Sequence, residues 1–218
     1  MIKKIFTAAF ILLILLTVGN ANVSAADTEK FKVAVILDAP VGMFSKPEKV
    51  YSTVKKTLDN IFKGSSFYEI IPIEETDPYV QIYREENDLV GAVTPQGVAV
   101  EAFLKKEDLD KICTHFESRY LIYIRVSSTA PEISTGFFSA SQKVNVTMDF
   151  RVWADADKDF SYVKRTTATG TSTAIYAGIG SASKALEDGL KKGLVEVEKD
   201  KIKIRKAMDT YEFGNNKD

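Results

Sequence analysis

Three groupings of residues have the types and spacing to do chemistry. The run Gly178-Ile179-Gly180-Ser181-Ala182-Ser183 puts Gly-x-Gly at the mouth of a helix, where free backbone N–H groups hold phosphates. A dinucleotide site needs a third glycine where Ser183 stands, and an acid about 20 residues on within a following strand. A phosphate loop needs Gly-Lys-Ser/Thr, which is absent. The glycines are therefore expected to turn the chain into the helix, with Ser181 or Ser183 as its N-cap. Anion binding by Gly178, Gly180, Ser181 and Ser183 stands as the second reading.

Cys113 and His115 are the second grouping. Residues two apart on a helix point about 200° apart, so neither can serve the other. Cys113 falls on an apolar stripe and is expected in the core. His115 is the only histidine, which excludes a histidine triad drawn around a second one and a multi-histidine zinc site. The third grouping, Asp155, Asp157 and Asp159, opens like a calcium loop, but Phe160 and Thr166 occupy the places of its glycine and glutamate. These aspartates read as a hairpin turn. No catalytic residue, cofactor or metal ligand set is assigned, and no enzymatic activity is expected. A hydrolase built on the acids of 74–77 and 84–88 is the weakest alternative.

Phe137 and Phe138 follow Gly136 in a loop of small polar residues, 127–142. Two readings stand: the rings are anchors for a protein partner, or they fold back on the sheet.

The elements that must position these groups follow from apolar periodicity. KVAVIL (32–37), FYEIIPI (67–73) and YLIYIRVS (120–127) read as strands. Pro72 marks an end or an edge of the second. Helices are expected over 48–62, ending at Lys63-Gly64, and over 106–118. A short helix is expected to start at Pro78. KVNVTMDFRVW (143–153) alternates as a half-buried antiparallel strand, and FSYVKRTTATGTSTA returns from its turn as a hairpin. A closing helix runs from Ser181 to Ile204 or beyond. Gly189 and Gly193 sit on its buried stripe, where a missing side chain lets the helix approach the sheet. The fold expected is a single α/β domain over 26–218: a sandwich with a mixed sheet, a C-terminal hairpin, helices packed on it and a polar tail at about 211–218.

Lys3 and Lys4 precede an apolar run from Ile5 to Val18, and VSA-A follows. This is the pattern of a signal peptide over 1–25, cut after Ala25 or Ala26, so the chain is expected to be extracytoplasmic. The run is shorter than the roughly 20 residues of a spanning helix, and no membrane span is expected after cleavage. The one cysteine, Cys113, lies far from the cut, so the chain is not expected to be a lipoprotein. Loss of the two lysines leaves 27 basic against 30 acidic side chains. A weakly acidic chain carries no footprint for nucleic acid.

KVAVIL, YLIYIRVS, VNVTMDFRVWADADKDFSYVKRTTATG and GIGSASKALEDGLKKGLVEV together resemble a bacterial envelope family. It comprises the periplasmic domain of the curli-secretion lipoprotein, the penicillin-binding-protein activator lipoproteins and the amino-terminal domain of TolB. The resemblance implies a non-enzymatic adaptor or assembly domain that binds a protein partner at the cell envelope. The alternative is an extracytoplasmic domain for a small ligand or anion, using the Gly178–Ser183 turn and the Gly42 loop at the carboxyl ends of strands.

Overall fold

The computed structural model describes residues 30–40, 42–89, 103–136, 139–175 and 180–214. The elements run β1 (Phe31–Asp38), α1 (Pro47–Ile61), β2 (Tyr68–Ile71), α2 (Ile73–Glu86), α3 (Lys106–His115), β3 (Tyr120–Ser128), β4 (Glu132–Thr135), β5 (Ser139–Ala154), β6 (Asp159–Ile175), α4 (Ala182–Glu198) and α5 (Lys201–Gly214). β1 lies parallel between β2 and β3. β3 runs antiparallel to β5, and β6 antiparallel to β5 along its other side. Short β4 continues the β3 side of β5. The result is one open, mixed six-stranded sheet.

Alternation sorts the strand residues onto two faces. On the first, Val35, Ile122, Ile124, Met148, Phe150 and Val152 meet Val54 and Leu58 of α1, Leu190 and Leu194 of α4, and Ile204 of α5. Each such side chain contributes roughly 1.5–3 kcal/mol when fully buried. On the second face, Ala34, Ile36, Leu121 and Trp153 lie under Val80 of α2 and Leu109, Ile112 and Cys113 of α3. α2 and α3 stop there. Along the rest of the β5–β6 hairpin no described helix lies on the second face, and Val163, Arg165, Thr167, Thr169, Thr171 and Thr173 of β6 stand exposed in a row.

α4 lies on the hairpin with almost no space between backbones. A Cβ added at Gly170 of β6 would fall 1.7 Å from the Ala185 carbonyl oxygen and 2.5 Å from Gly189 N. One added at Gly189 would fall 2.5 Å from a Val146 methyl. The close approach expected from Gly189 is present, and Gly170 is its counterpart on the strand. α4 also reaches over the outer edge of β6. Lys192 Nζ donates to the Thr169 carbonyl at 2.9 Å, and Asp188 accepts the Thr171 N–H at 3.0 Å.

Three details differ from the sequence reading. The closing helix is interrupted at Lys199–Asp200, where the Asp200 carboxylate is drawn to β6 by Tyr162 Oη (3.0 Å) and Lys164 Nζ (2.8 Å). α2 begins at Ile73 behind Pro72, so Pro78 lies inside the helix and its missing N–H is accommodated there rather than at the start. Residues 132–135, read as loop, form β4; all four are exposed, so no apolar alternation announced the strand. The expected polar tail at about 211–218 is helical as far as Gly214, the end of α5; the rest of it and the expected signal segment lie outside the described residues.

Gly170→Ala is expected to cost about 3 kcal/mol, the upper end of the range for overpacking, because backbone lies on both sides. Gly64 has φ +82° and open space around it, so Gly64→Ala should cost only about 1 kcal/mol from the left-handed backbone. Urea denaturation of both variants checks the order; equal losses would refute the contact as described.

Candidate functional site

The register of the sheet brings four charged residues into one row. Asp38 of β1 stands opposite Arg125 of β3, Arg125 opposite Asp149 of β5, and Asp149 opposite Arg165 of β6. All four point to the second face, and the signs alternate. Arg84 reaches the row from α2, its Nη2 donating to Asp38 Oδ1 at 2.8 Å. Tyr123 Oη donates to the other oxygen of Asp38. This pair is buried, with side-chain exposures of 2% for Arg84 and 7% for Asp38. Two charges taken from water persist only when paired and hydrogen-bonded, and here the carboxylate has a donor on each oxygen. Burial, and then the Asp38 charge, push the Tyr123 hydroxyl well above the usual tyrosine range.

Asp149 is held from the other side. Arg165 donates to it twice, at 2.6 and 2.9 Å, in the fork geometry that suits a carboxylate. Arg151 approaches at 3.5 Å. The Arg165 hydrogen bonds hold the Asp149 carboxyl below its ordinary range, against the opposing effect of burial. Beyond this row toward the open end, Thr147 and Thr167 share a hydroxyl contact of 3.3 Å, and Thr169 donates to Asn145 at 2.7 Å. The Thr167 and Thr169 hydroxyls are thus tied across to β5.

Two clefts open at the carboxyl ends of β1 and β2, the place where open α/β sheets take ligands. One, about 270 Å³, is lined by Val35, Val54, Leu58, Ile70 and Ile73. The other, about 260 Å³, is lined by Gly42, Met43, Phe44 and Gln81. Tyr51 belongs to both, and its hydroxyl donates to Asp77 at 3.1 Å between them. Burial and Asp77 raise the Tyr51 hydroxyl to about 12.

The residues singled out in the sequence are placed as follows. Ser181 is the N-cap of α4, its Oγ accepting from Lys184 N at 3.4 Å. Gly180 is required by close passage: a Cβ there would lie 1.9 Å from the Ser172 carbonyl oxygen. Ser183 Oγ accepts the Ser45 N–H at 2.9 Å, so the Gly42 loop and the start of α4 do meet. Neither Ser181 nor Ser183 lines the clefts. Gly178, Phe137 and Phe138 lie outside the described residues.

Cys113 is fully buried, and burial raises its thiol to about 12. His115 stacks on Tyr79 with ring centroids 3.5 Å apart. Asp155 pairs with Lys158 at 2.8 Å and Asp159 with Lys106 at 2.7 Å. The alternation of 143–153 already put Asp149 and Arg151 on the polar side of their strand. The row itself needs the strand register, which no single segment carries.

No family model matches the chain, and no curated protein matches it. Solved structures with a similar course include the lipoprotein GNA1162 of Neisseria meningitidis (14% identity, 79% of this chain and 97% of that one, TM-score 0.37). A Caulobacter crescentus protein assigned as a lipoprotein follows (13%, 84% and 93%, TM-score 0.32). So does the LpoB C-terminal domain of Salmonella enterica (10%, 64% and 83%, TM-score 0.29). They match the envelope resemblance weakly. One expectation is corrected by them: proteins of this likeness are described as lipoproteins, so the exclusion of a lipoprotein does not stand. Among the described residues no helix is long and apolar enough to cross a membrane.

Arg84→Met leaves the buried Asp38 without its cation and is expected to cost about 3 kcal/mol. The double variant Asp38→Asn/Arg84→Met should cost distinctly less, since the amide still accepts from Tyr123; denaturation of the pair of variants reads the difference. Asp149 makes a second case. Its pKa is lower folded than unfolded, so its contribution is complete above the unfolded value near 4 and is lost as pH falls below that. Arg165→Gln should therefore reduce stability at neutral pH and flatten the acid limb below about pH 4. An unchanged acid limb in thermal melts would remove Arg165 as the cause.

Proposed function

We propose that the chain is a non-enzymatic binding domain of the bacterial cell envelope that docks a protein partner on the bare second face of its β5–β6 hairpin. One observation carries the reading. Of the five helices among the described residues, three pack on the first face and two cover only β1, β3 and the Trp153 end of β5. The rest of the second face presents the exposed side chains of β6. A sheet face whose side chains are hydrogen-bonded across its strands offers a partner a surface that needs little ordering on binding, which lowers the cost of association. The signal pattern supports an extracytoplasmic place of action.

A second reading is favoured by the two clefts that share Tyr51. Their position at the ends of parallel strands, and Gly42 in one lining, fit a small extracytoplasmic ligand.

A photo-crosslinking residue in place of Thr167, on the bare face, and another in place of Lys203, on α5, separate these readings in the native envelope. A discrete protein adduct from position 167 and none from position 203 is the expected result. Equal labelling from both, or none from either, would sink the docking face. A thermal shift with small ligands that is abolished by Tyr51→Ala would then favour the clefts.

A further inference from the structure

Four guanidinium groups meet on the second face, and two carboxylates stand among them. The acids are already filled. Asp38 accepts from Arg84 and Tyr123; Asp149 accepts twice from Arg165 and once, at 3.5 Å, from Arg151. Arg125 stands between the two acids in the register. Even so, among the described residues its guanidinium makes no hydrogen bond or ion pair, and it lies 3.1 Å from the centroid of the Phe103 ring. Arg151, its diagonal neighbour across β3 and β5, has a buried Nε with no hydrogen-bond partner. Its guanidinium rests 5.2 Å from the Phe160 ring centroid.

An arginine stacked on an aromatic ring is fixed in plane while its N–H edge stays open for a bidentate acceptor. Arg125 is held in this way, and Arg151 beside it gives only one contact, at 3.5 Å, to Asp149; with both carboxylates already accepting, the four guanidinium groups leave an excess of positive charge and donors in one place. The place opens onto the bare face: Arg125, Asp149 and Arg165 share a row, and Thr167 is the next exposed residue after Arg165 on that side of β6. Phe103, 56% exposed, borders it.

We infer that Arg125 and Arg151 form a receptor for a side-chain carboxylate on an acidic segment of the protein partner. This rests on the docking reading above and gives the partner its chemistry. Continuity with the bare face favours a carboxylate carried on a chain over a free anion, because an extended segment seated on the arginines runs on across Thr167 and Thr169.

Calorimetric titration of the mature protein at low salt tests it, with a capped, alternating Glu-Ala peptide as probe. The Gln-Ala counterpart and inorganic phosphate form the control arms. The expected result is saturable binding of the glutamate peptide, weakened at least tenfold by Arg125→Gln and by Arg151→Gln. Arg125→Lys, which keeps the charge and loses the planar stack, should be intermediate, and thermal melts confirm that each variant is folded. Binding unchanged in both glutamine variants, equal binding of the Gln-Ala peptide, no binding at all, or phosphate binding with no peptide preference would each overturn the inference. If the position-167 adduct persists at full yield in Arg125→Gln, the receptor fails while the docking face stands. If the adduct is absent from the parent protein as well, the docking reading itself has failed.

Discussion

The approach of α4 to the hairpin is the constraint on which the remaining structure depends. Gly170 on β6 and Gly189 on α4 remove the side chains that would hold the two backbones apart, and a carbon added at Gly170 would lie within 1.7 Å of helix backbone. With the helix so close, Met148 and Val146 fill the space that a standard helix–sheet distance would leave void. Packing at native density on this face follows from the glycines more than from any large residue. The break at Asp200 belongs to the same geometry: a helix laid this near to the strand brings that carboxylate to Tyr162 and Lys164, and the chain turns into α5 there.

The second face is organised by charge. Hydrophobic burial under α2 and α3 ends at the row of Ile36 and Tyr123, which Arg151 continues on β5, and the next row outward is the alternating series from Asp38 to Arg165. A slip of one residue in any strand would turn that strand's charged member into the apolar core on the other side. The row therefore fixes register, at the desolvation cost that attends buried ions. Only the Asp38 end is deeply buried; the Arg165 end stands in water, and the face passes from core to open surface along a single line of side chains.

Much of this was legible in the residues, and the parts that were not share a cause. The alternation of 143–153, the stripe of α4 with its two glycines, the helix before Gly64 and the cap at Ser181 all express local rules, and the structure follows them. β4 escaped because a strand with every side chain exposed has no apolar period, and Ile133 alone could not supply one. α2 was started late because Pro78 reads as a first helical residue, whereas Pro72 precedes the true start. The charge row could not be found at all from one segment: its four members come from four strands, and their meeting depends on pairings between residues as far apart as Asp38 and Arg125. The donors that Arg125 and the Arg151 Nε leave without a hydrogen bond among the described residues are later still in the chain of causes, since they depend on Asp38 accepting from Arg84 and Asp149 chiefly from Arg165.

Strand β6 is 17 residues long and borders the sheet. A border of that length is a template on which further copies can add without limit, the geometry by which fibrils grow. Lys192 and Asp188 occupy the Thr169 carbonyl and the Thr171 amide from the flank, and their own 2.7 Å ion pair clasps the two together. An incoming strand would have to displace a charged clasp before it could pair along that stretch. The helix that supplies the interior thus also guards the edge of the long hairpin at Thr169 and Thr171.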